Sequence, residues 1–124
     1  MTQNVEKMNK EMLKNRTKKF SHACVKVSLS LPNNRLGAHI GGQLIRCSTS
    51  VAANYRAANL AQSKQAFAAK LSIVIEEADE SEFWLEFAMD ENILSSEIAK
   101  PLIQEAHELA SIFIASRKSI QTKN

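Results

Sequence analysis

The chain has 124 residues, of which 44% are hydrophobic and 23% are charged, a balance typical of one folded domain and not of a disordered segment. Three glycines and two prolines leave little material for tight turns, which favours helices over hairpins. No apolar run approaches the roughly 18 residues of a membrane span, and the charged N-terminus lacks the apolar stretch of a secretory signal. We therefore expect a single domain over residues 1–124, located in the cytoplasm and not associated with a membrane.

The first predicted helix spans about residues 7–30, and Pro32 with the two asparagines after it predicts a turn beyond its end. Its apolar face holds Met8, Met12, Leu13, Phe20, Cys24, Val27 and Leu31. Its other side chains are mostly basic: Lys7, Lys10, Lys14, Arg16, Lys18, Lys19 and Lys26. This excess of cations predicts a polyanionic partner, RNA or DNA. The alternative is that these cations pair with acids of the same chain or of another subunit.

The second predicted helix spans about residues 36–61. Its apolar or small positions alternate in steps of four and three, namely Ile40, Leu44, Cys47, Val51, Asn54, Ala58 and Ala61. Arg46, Ser50 and Asn54 recur every four residues on or beside this seam. Buried polar groups need partners, so we predict a polar network with Glu77 and Glu80 of the third helix, including a buried Arg46–Glu77 or Arg46–Glu80 pair.

The third predicted helix spans about residues 63–91 and has Ser63 as its N-cap. Its seam again alternates in steps of four and three, a heptad pattern: Phe67, Leu71, Val74, Ala78, Ser81, Leu85 and Ala88. We expect Phe83, Trp84 and Phe87 to widen this seam. Residues 71–99 contain acids and no basic residue, so the charge is distributed unevenly along the chain.

The fourth predicted helix spans about residues 96–120, with Ser95 or Ser96 near its start. Pro101 allows two interpretations: either the helix begins near Lys100, with proline in its first turn, or it continues through the proline and bends. Four helices joined by short connections predict an all-α fold, an antiparallel up-and-down four-helix bundle.

A search of the sequence for catalytic or metal-binding motifs finds none. His22, His39 and His107 stand outside any motif that would make one a general base. No Glu-x-x-His pair of the kind found in helical di-iron proteins is present. We therefore predict no enzyme activity, no cofactor and no metal, and we expect Cys24 and Cys47 to be small buried side chains.

The segment from Leu44 to Phe67, LIRCSTSVAANYRAANLAQSKQAF, carries a long ungapped pattern. It consists of Arg46, Thr49–Val51, Ala53–Asn54, Ser63–Lys64 and Phe67. This pattern, with Lys70–Ile73, Glu77–Glu80, Trp84–Glu86 and Ile112–Lys118, resembles the bacterial four-helix-bundle family associated with intervening sequences in 23S ribosomal RNA genes, whose members are also labelled S23 ribosomal proteins.

The resemblance covers about residues 36–118 and implies a non-enzymatic, ring-like homo-oligomer, a pentamer. A similar accessory variability protein of diversity-generating retroelements works with a reverse transcriptase and nucleic acid. The resemblance therefore implies association with nucleic acid or ribonucleoprotein, and the alternative is a scaffold that binds a protein partner only. Ala57 and Ala58 depart from the glutamate and glycine common in the family, so we expect the second helix to run slightly further here.

Overall fold

The computed structural model describes residues 9–122 of the chain. Within them lie four helices: α1 (Lys10–Ser30), α2 (Arg35–Ala58), α3 (Lys64–Asp90) and α4 (Ser96–Thr122). Each packs along the helix that follows it, and α4 meets α1 over a smaller area. Since α1 and α3 make no backbone contact in the described residues, they lie at opposite corners of the bundle. The prediction of an all-α four-helix bundle is confirmed.

The core is formed by the predicted seams. Along α3, the residues Leu71, Val74, Ala78, Ser81, Leu85 and Ala88 are all fully buried. Along α2, Tyr55 and not Asn54 occupies the core position, and its ring packs 4.9 Å from that of Phe113. Phe20, Cys24 and Cys47 are buried as predicted, and both thiols are free.

Two predictions about apolar side chains are wrong. Phe83 and Phe87 do not widen the α3 seam, because they follow the buried Ser81 and Leu85 by two residues and therefore lie on the outer face of the helix. They are 49% and 37% exposed. Met12 is likewise half exposed, because the core position in that turn is taken by Leu13.

Capping side chains determine where the helices begin. Asn9 accepts a hydrogen bond from the Met12 amide at 2.9 Å, so α1 begins at Lys10 and not at residue 7. Ser63 caps α3 as predicted, accepting from the Ala66 amide at 3.0 Å. Ser95 caps α4, because its backbone carbonyl and hydroxyl both accept from the Ile98 amide.

The remaining boundary predictions differ from the structure at α2 and α4. The expectation that α2 runs to residue 61 is wrong: the Asn59 side-chain amide donates to the Tyr55 carbonyl at 2.9 Å and ends the helix at Ala58. The fourth helix does not begin near Lys100, since it continues from Ser96 through Pro101.

The turn between α3 and α4 is closed by two backbone hydrogen bonds. The Ile93 amide donates to the Ala88 carbonyl and the Asn92 amide donates to the Met89 carbonyl, the pattern of a Schellman motif. Asn92 adopts a left-handed backbone conformation with φ 61°, which asparagine tolerates better than most residues other than glycine. This turn directs α4 back along α3.

Candidate nucleic-acid interface

The basic side chains of α1 are mostly directed into solvent. Lys10, Lys18, Lys19 and Lys26 are exposed, and none of them forms an ion pair with another residue of the described range 9–122. Lys14 is half-buried and lies 3.7 Å from Glu11, one turn earlier. Lys7, which also belongs to the predicted basic set, lies outside the described residues.

Arg16 is placed differently from the lysines. Its Nε and Nη2 donate to the two carboxylate oxygens of Glu105 on α4 at 2.7 and 2.8 Å, and Nη2 also donates to Glu108 at 2.8 Å. The hydrogen bond that the guanidinium donates to Glu105 is the main cause that raises its pKa above the ordinary value. Such a bidentate ion pair holds its partners in one geometry, so Arg16 connects α1 to α4 at their smaller interface. The charge of Arg16 is largely neutralised by this pairing.

The predicted polar residues of α2 and α3 are brought together in one network. Arg46 pairs with Glu77, Nη1 to Oε2, at 3.2 Å, and it also pairs with Glu80. Ser50 donates to Glu77 at 3.2 Å, and the Asn54 amide donates to the Ser50 hydroxyl at 2.8 Å. The side chain of Arg46 is 50% exposed, so the pairing spans the surface between the two helices and is not buried as the sequence suggested.

Aromatic side chains extend this network toward the end of α3, which sequence reasoning missed. Trp84 donates its indole N–H to Glu80 at 3.2 Å. The His39 ring meets the indole edge-on with 5.5 Å between centroids, and Phe83 and Phe87 pack against it at 4.9 and 6.0 Å. The available signal was the spacing of four residues from Glu80 to Trp84, which places both side chains on one helix face.

The hydrogen bond from Arg46 is the main cause that lowers the pKa of Glu80 below its ordinary value. Elsewhere on α3, partial burial raises the pKa of Glu82, although His107 lies 3.6 Å away. As the pH falls, Glu82 is therefore protonated at a higher pH than Glu80.

The acidic and basic surfaces of the chain face away from each other. The exposed acids of α3 include Glu76, Asp79, Glu86 and Asp90, and α3 lies diagonally opposite α1. Pairing between the exposed lysines of α1 and these acids within one chain, which the sequence left open, therefore does not occur in the described part of the molecule. The domain carries a positive side and a negative side.

Groups that could act in catalysis or hold a metal are dispersed. Burial raises the pKa of the Cys24 thiol to about 12 and also raises that of Cys47, so neither forms a ready thiolate. Among the residues that the structure covers, no three histidine, cysteine or acidic side chains converge into a possible metal site. No helix in that range is long and apolar enough to cross a membrane.

Comparisons with known proteins agree with the architecture. Residues 9–115 match the model of a family described as 23S rRNA-intervening sequence protein. A crystal structure of a protein of unknown function, from the S23 ribosomal protein family of Bacteroides thetaiotaomicron, is similar to this chain with a TM-score of 0.81. The two share 28% identity over 88% of this chain and 97% of that one. A search of curated proteins finds no match. The matched region includes all of α1, α2 and α3 and most of α4, and the chain therefore belongs to the 23S rRNA-intervening sequence protein family.

Proposed function

We propose that this protein is a non-enzymatic, cytoplasmic homo-oligomer that associates with RNA or DNA through the basic face of α1. The observation that carries the proposal is the set of exposed lysines without ion-pair partners in the described chain, namely Lys10, Lys18, Lys19 and Lys26. Their helix lies at the corner farthest from the acidic helix. A phosphate backbone neutralises such a surface and releases its condensed counterions, which favours binding at low salt.

The composition of this face favours contacts to phosphates over contacts to bases. Phe20, the aromatic residue nearest the lysines in sequence, is only 2% exposed and belongs to the core. Base stacking needs exposed aromatic rings, and the exposed aromatics of the described chain, Phe83 and Phe87, lie on α3. We therefore expect binding that depends weakly on sequence and strongly on salt.

Fluorescence polarisation with a labelled RNA and a labelled DNA duplex tests the proposal, with titrations at low and near-physiological salt. The variant Lys18→Glu/Lys19→Glu is expected to weaken binding at least tenfold, because two cations that neutralise phosphates become anions that repel them. The control Lys64→Glu/Lys100→Glu changes the net charge equally on other helices and should bind nearly as well as the wild type. Absence of binding at low salt, or equal effects of both variants, would refute the proposal.

Self-association is supported by the outer face of α3. Phe83 and Phe87 are 49% and 37% exposed there and their rings lie 5.8 Å apart, and Ile73 is exposed earlier on the same helix. An exposed apolar patch is typical of an interface. We propose that a second copy covers this face in a ring-like assembly, which the family resemblance suggests is a pentamer. Light scattering of Phe83→Glu/Phe87→Glu should give the monomer mass, whereas Leu60→Glu, which is equally apolar and more exposed, should keep the wild-type mass.

The second candidate function is a scaffold that binds a protein partner without nucleic acid. It is favoured by the same aromatic surface, where His39, Phe83 and Phe87 pack around Trp84. Under this alternative the wild-type protein would ignore both nucleic-acid probes even at low salt, and the two phenylalanine substitutions would remove a protein partner while leaving the fold intact.

A further inference from the structure

A groove with a volume of about 640 Å3 runs between α1 and α2. On α1 it is lined by Lys14, Lys18 and His22, which recur every four residues. On α2 it is lined by Thr49 and Arg56. We propose that this groove binds the sugar–phosphate backbone of a single nucleic-acid strand, so that the binding site comprises two helices and not the whole basic face of α1. This inference rests on the proposed function and assigns it a location.

The charges around the groove are complementary to those of a polyanion. Three permanent cations, Lys14, Lys18 and Arg56, face one carboxylate, that of Glu11. Lys18 and Arg56 form no hydrogen bond or ion pair with any residue of the described range, so both can contact a ligand without breaking an existing interaction. An acid-poor groove of this kind attracts phosphates from solution.

The geometry suits a strand and not a duplex. Successive cationic positions on α1 are four residues apart, which corresponds to roughly 6 Å along a helix and is close to the separation of neighbouring phosphates in one strand. The groove is also lined by small and apolar side chains, Val25, Ala52 and Ala53, against which sugars can pack. The axes of packed helices lie roughly 8–10 Å apart, so a groove between two of them is narrower than a duplex, which could contact only its edge.

The groove separates the lysines of α1 into two groups. Lys18 lines it, whereas Lys19 and Lys26 are equally exposed but belong to the outer side of the same helix. If only the overall charge of α1 mattered, all three would contribute alike. If the groove is the site, Lys18 on α1 and Arg56 on α2 contribute more than the two outer lysines.

The experiment compares two double variants of equal net charge, Lys18→Gln/Arg56→Gln and Lys19→Gln/Lys26→Gln, with a labelled single-stranded RNA of mixed sequence. The groove variant is expected to bind at least tenfold more weakly. The slope of its logarithmic binding constant against the logarithm of salt concentration should become shallower by roughly 0.7 for each phosphate that it no longer neutralises. The outer variant, whose lysines attract phosphates without lining the groove, should weaken binding severalfold less than the groove variant does. Circular dichroism confirms that both remain folded, which is expected because all four side chains are exposed.

Glu11→Gln provides a second, opposite test. Removing the one carboxylate of the groove should tighten RNA binding severalfold, since it leaves the cations unopposed. If wild-type protein binds RNA but both double variants are weakened equally, or if Glu11→Gln has no effect, the groove is not the site while the proposed function stands. If the wild type binds neither RNA nor DNA at low salt, both proposals are wrong. Stronger binding to the DNA duplex than to the single strand would overturn the groove assignment alone.

Discussion

Replacing each of two glycines in α2 by alanine should have opposite effects on stability. A Cβ atom built on Gly37 would lie 2.0 Å from the backbone oxygen of Pro32, a separation that two non-bonded atoms cannot adopt. Because the obstacle is main chain, relief requires the α1–α2 connection to move. We expect Gly37→Ala to cost at least 2–3 kcal/mol, the upper part of the range for overpacked sites. A Cβ atom on Gly42 meets nothing within 4 Å, so Gly42→Ala should stabilise the domain by about 0.8–1 kcal/mol through helix propensity alone.

Thermal unfolding followed by far-ultraviolet circular dichroism measures both effects on proteins that differ by one methyl group. For a domain of this size, 1 kcal/mol corresponds to a shift of about 4 °C in Tm. Gly42→Ala should therefore melt about 3–4 °C above the wild type, and Gly37→Ala about 8 °C or more below it. Equal melting temperatures for the two variants would refute the packing of α2 against the turn at Pro32.

Four further predictions concern other parts of the bundle. A double-mutant cycle between Arg46→Ala and Glu80→Ala, measured by urea unfolding, should give about 0.5–1 kcal/mol of coupling, since the pair is half exposed. The pKa of Glu80 is lower in the folded chain than in the unfolded chain. The stability that its ionised carboxylate adds to the fold is therefore fully present above about pH 4.5 and is lost as the pH falls through the pKa of the folded chain. Glu80→Gln should remove this part of the acid dependence of stability. Asn92→Ala should cost about 1 kcal/mol in thermal unfolding while Asn92→Gly costs nothing. At about pH 8, an aromatic disulfide reagent should modify Cys24 and Cys47 only after denaturation.

The fold was predictable because the local pattern and the packing require the same residues. On α3 the steps of four and three identify the positions that are buried, from Leu71 to Ala88. Helix ends were less predictable, because they depend on which of several competent side chains makes the capping bond. Ser95 and not Ser96 caps α4, and Asn59 ends α2 three residues early. Alternative capping residues differ only slightly in free energy, and the pattern of apolar residues contains no information about that difference.

The candidate site was predictable only in part, because its parts come from different helices. The lysines of α1 are visible in the sequence, but the neutralisation of Arg16 requires Glu105, which lies 89 positions away. Arg56 was not singled out, since nothing in its own helix indicates that it shares a groove with Lys18. By contrast, Arg46 and its acids were found because α2 and α3 are consecutive and antiparallel, so that their seams face each other in the expected register.

The diagonal placement of α1 and α3 limits how the charges of this domain can be neutralised. Since the two helices do not meet within one chain, a macromolecular anion that pairs with the exposed lysines of α1 would belong to a second molecule, either a polyanion or the acidic face of another copy. These two partners would compete for the same cations, so an assembly built on contacts between α1 and α3 would reduce nucleic-acid binding.

An assembly joined through the apolar outer face of α3 leaves α1 free. It also places several basic grooves on one particle, where a strand that occupies one groove is held near the next and the apparent affinity rises without any new contact. The salt dependence of binding by the wild type and by the monomeric Phe83→Glu/Phe87→Glu variant distinguishes the two arrangements. Weaker binding by the variant with an unchanged salt dependence indicates assembly through the apolar face of α3. Stronger binding by the variant indicates assembly through contacts between α1 and α3.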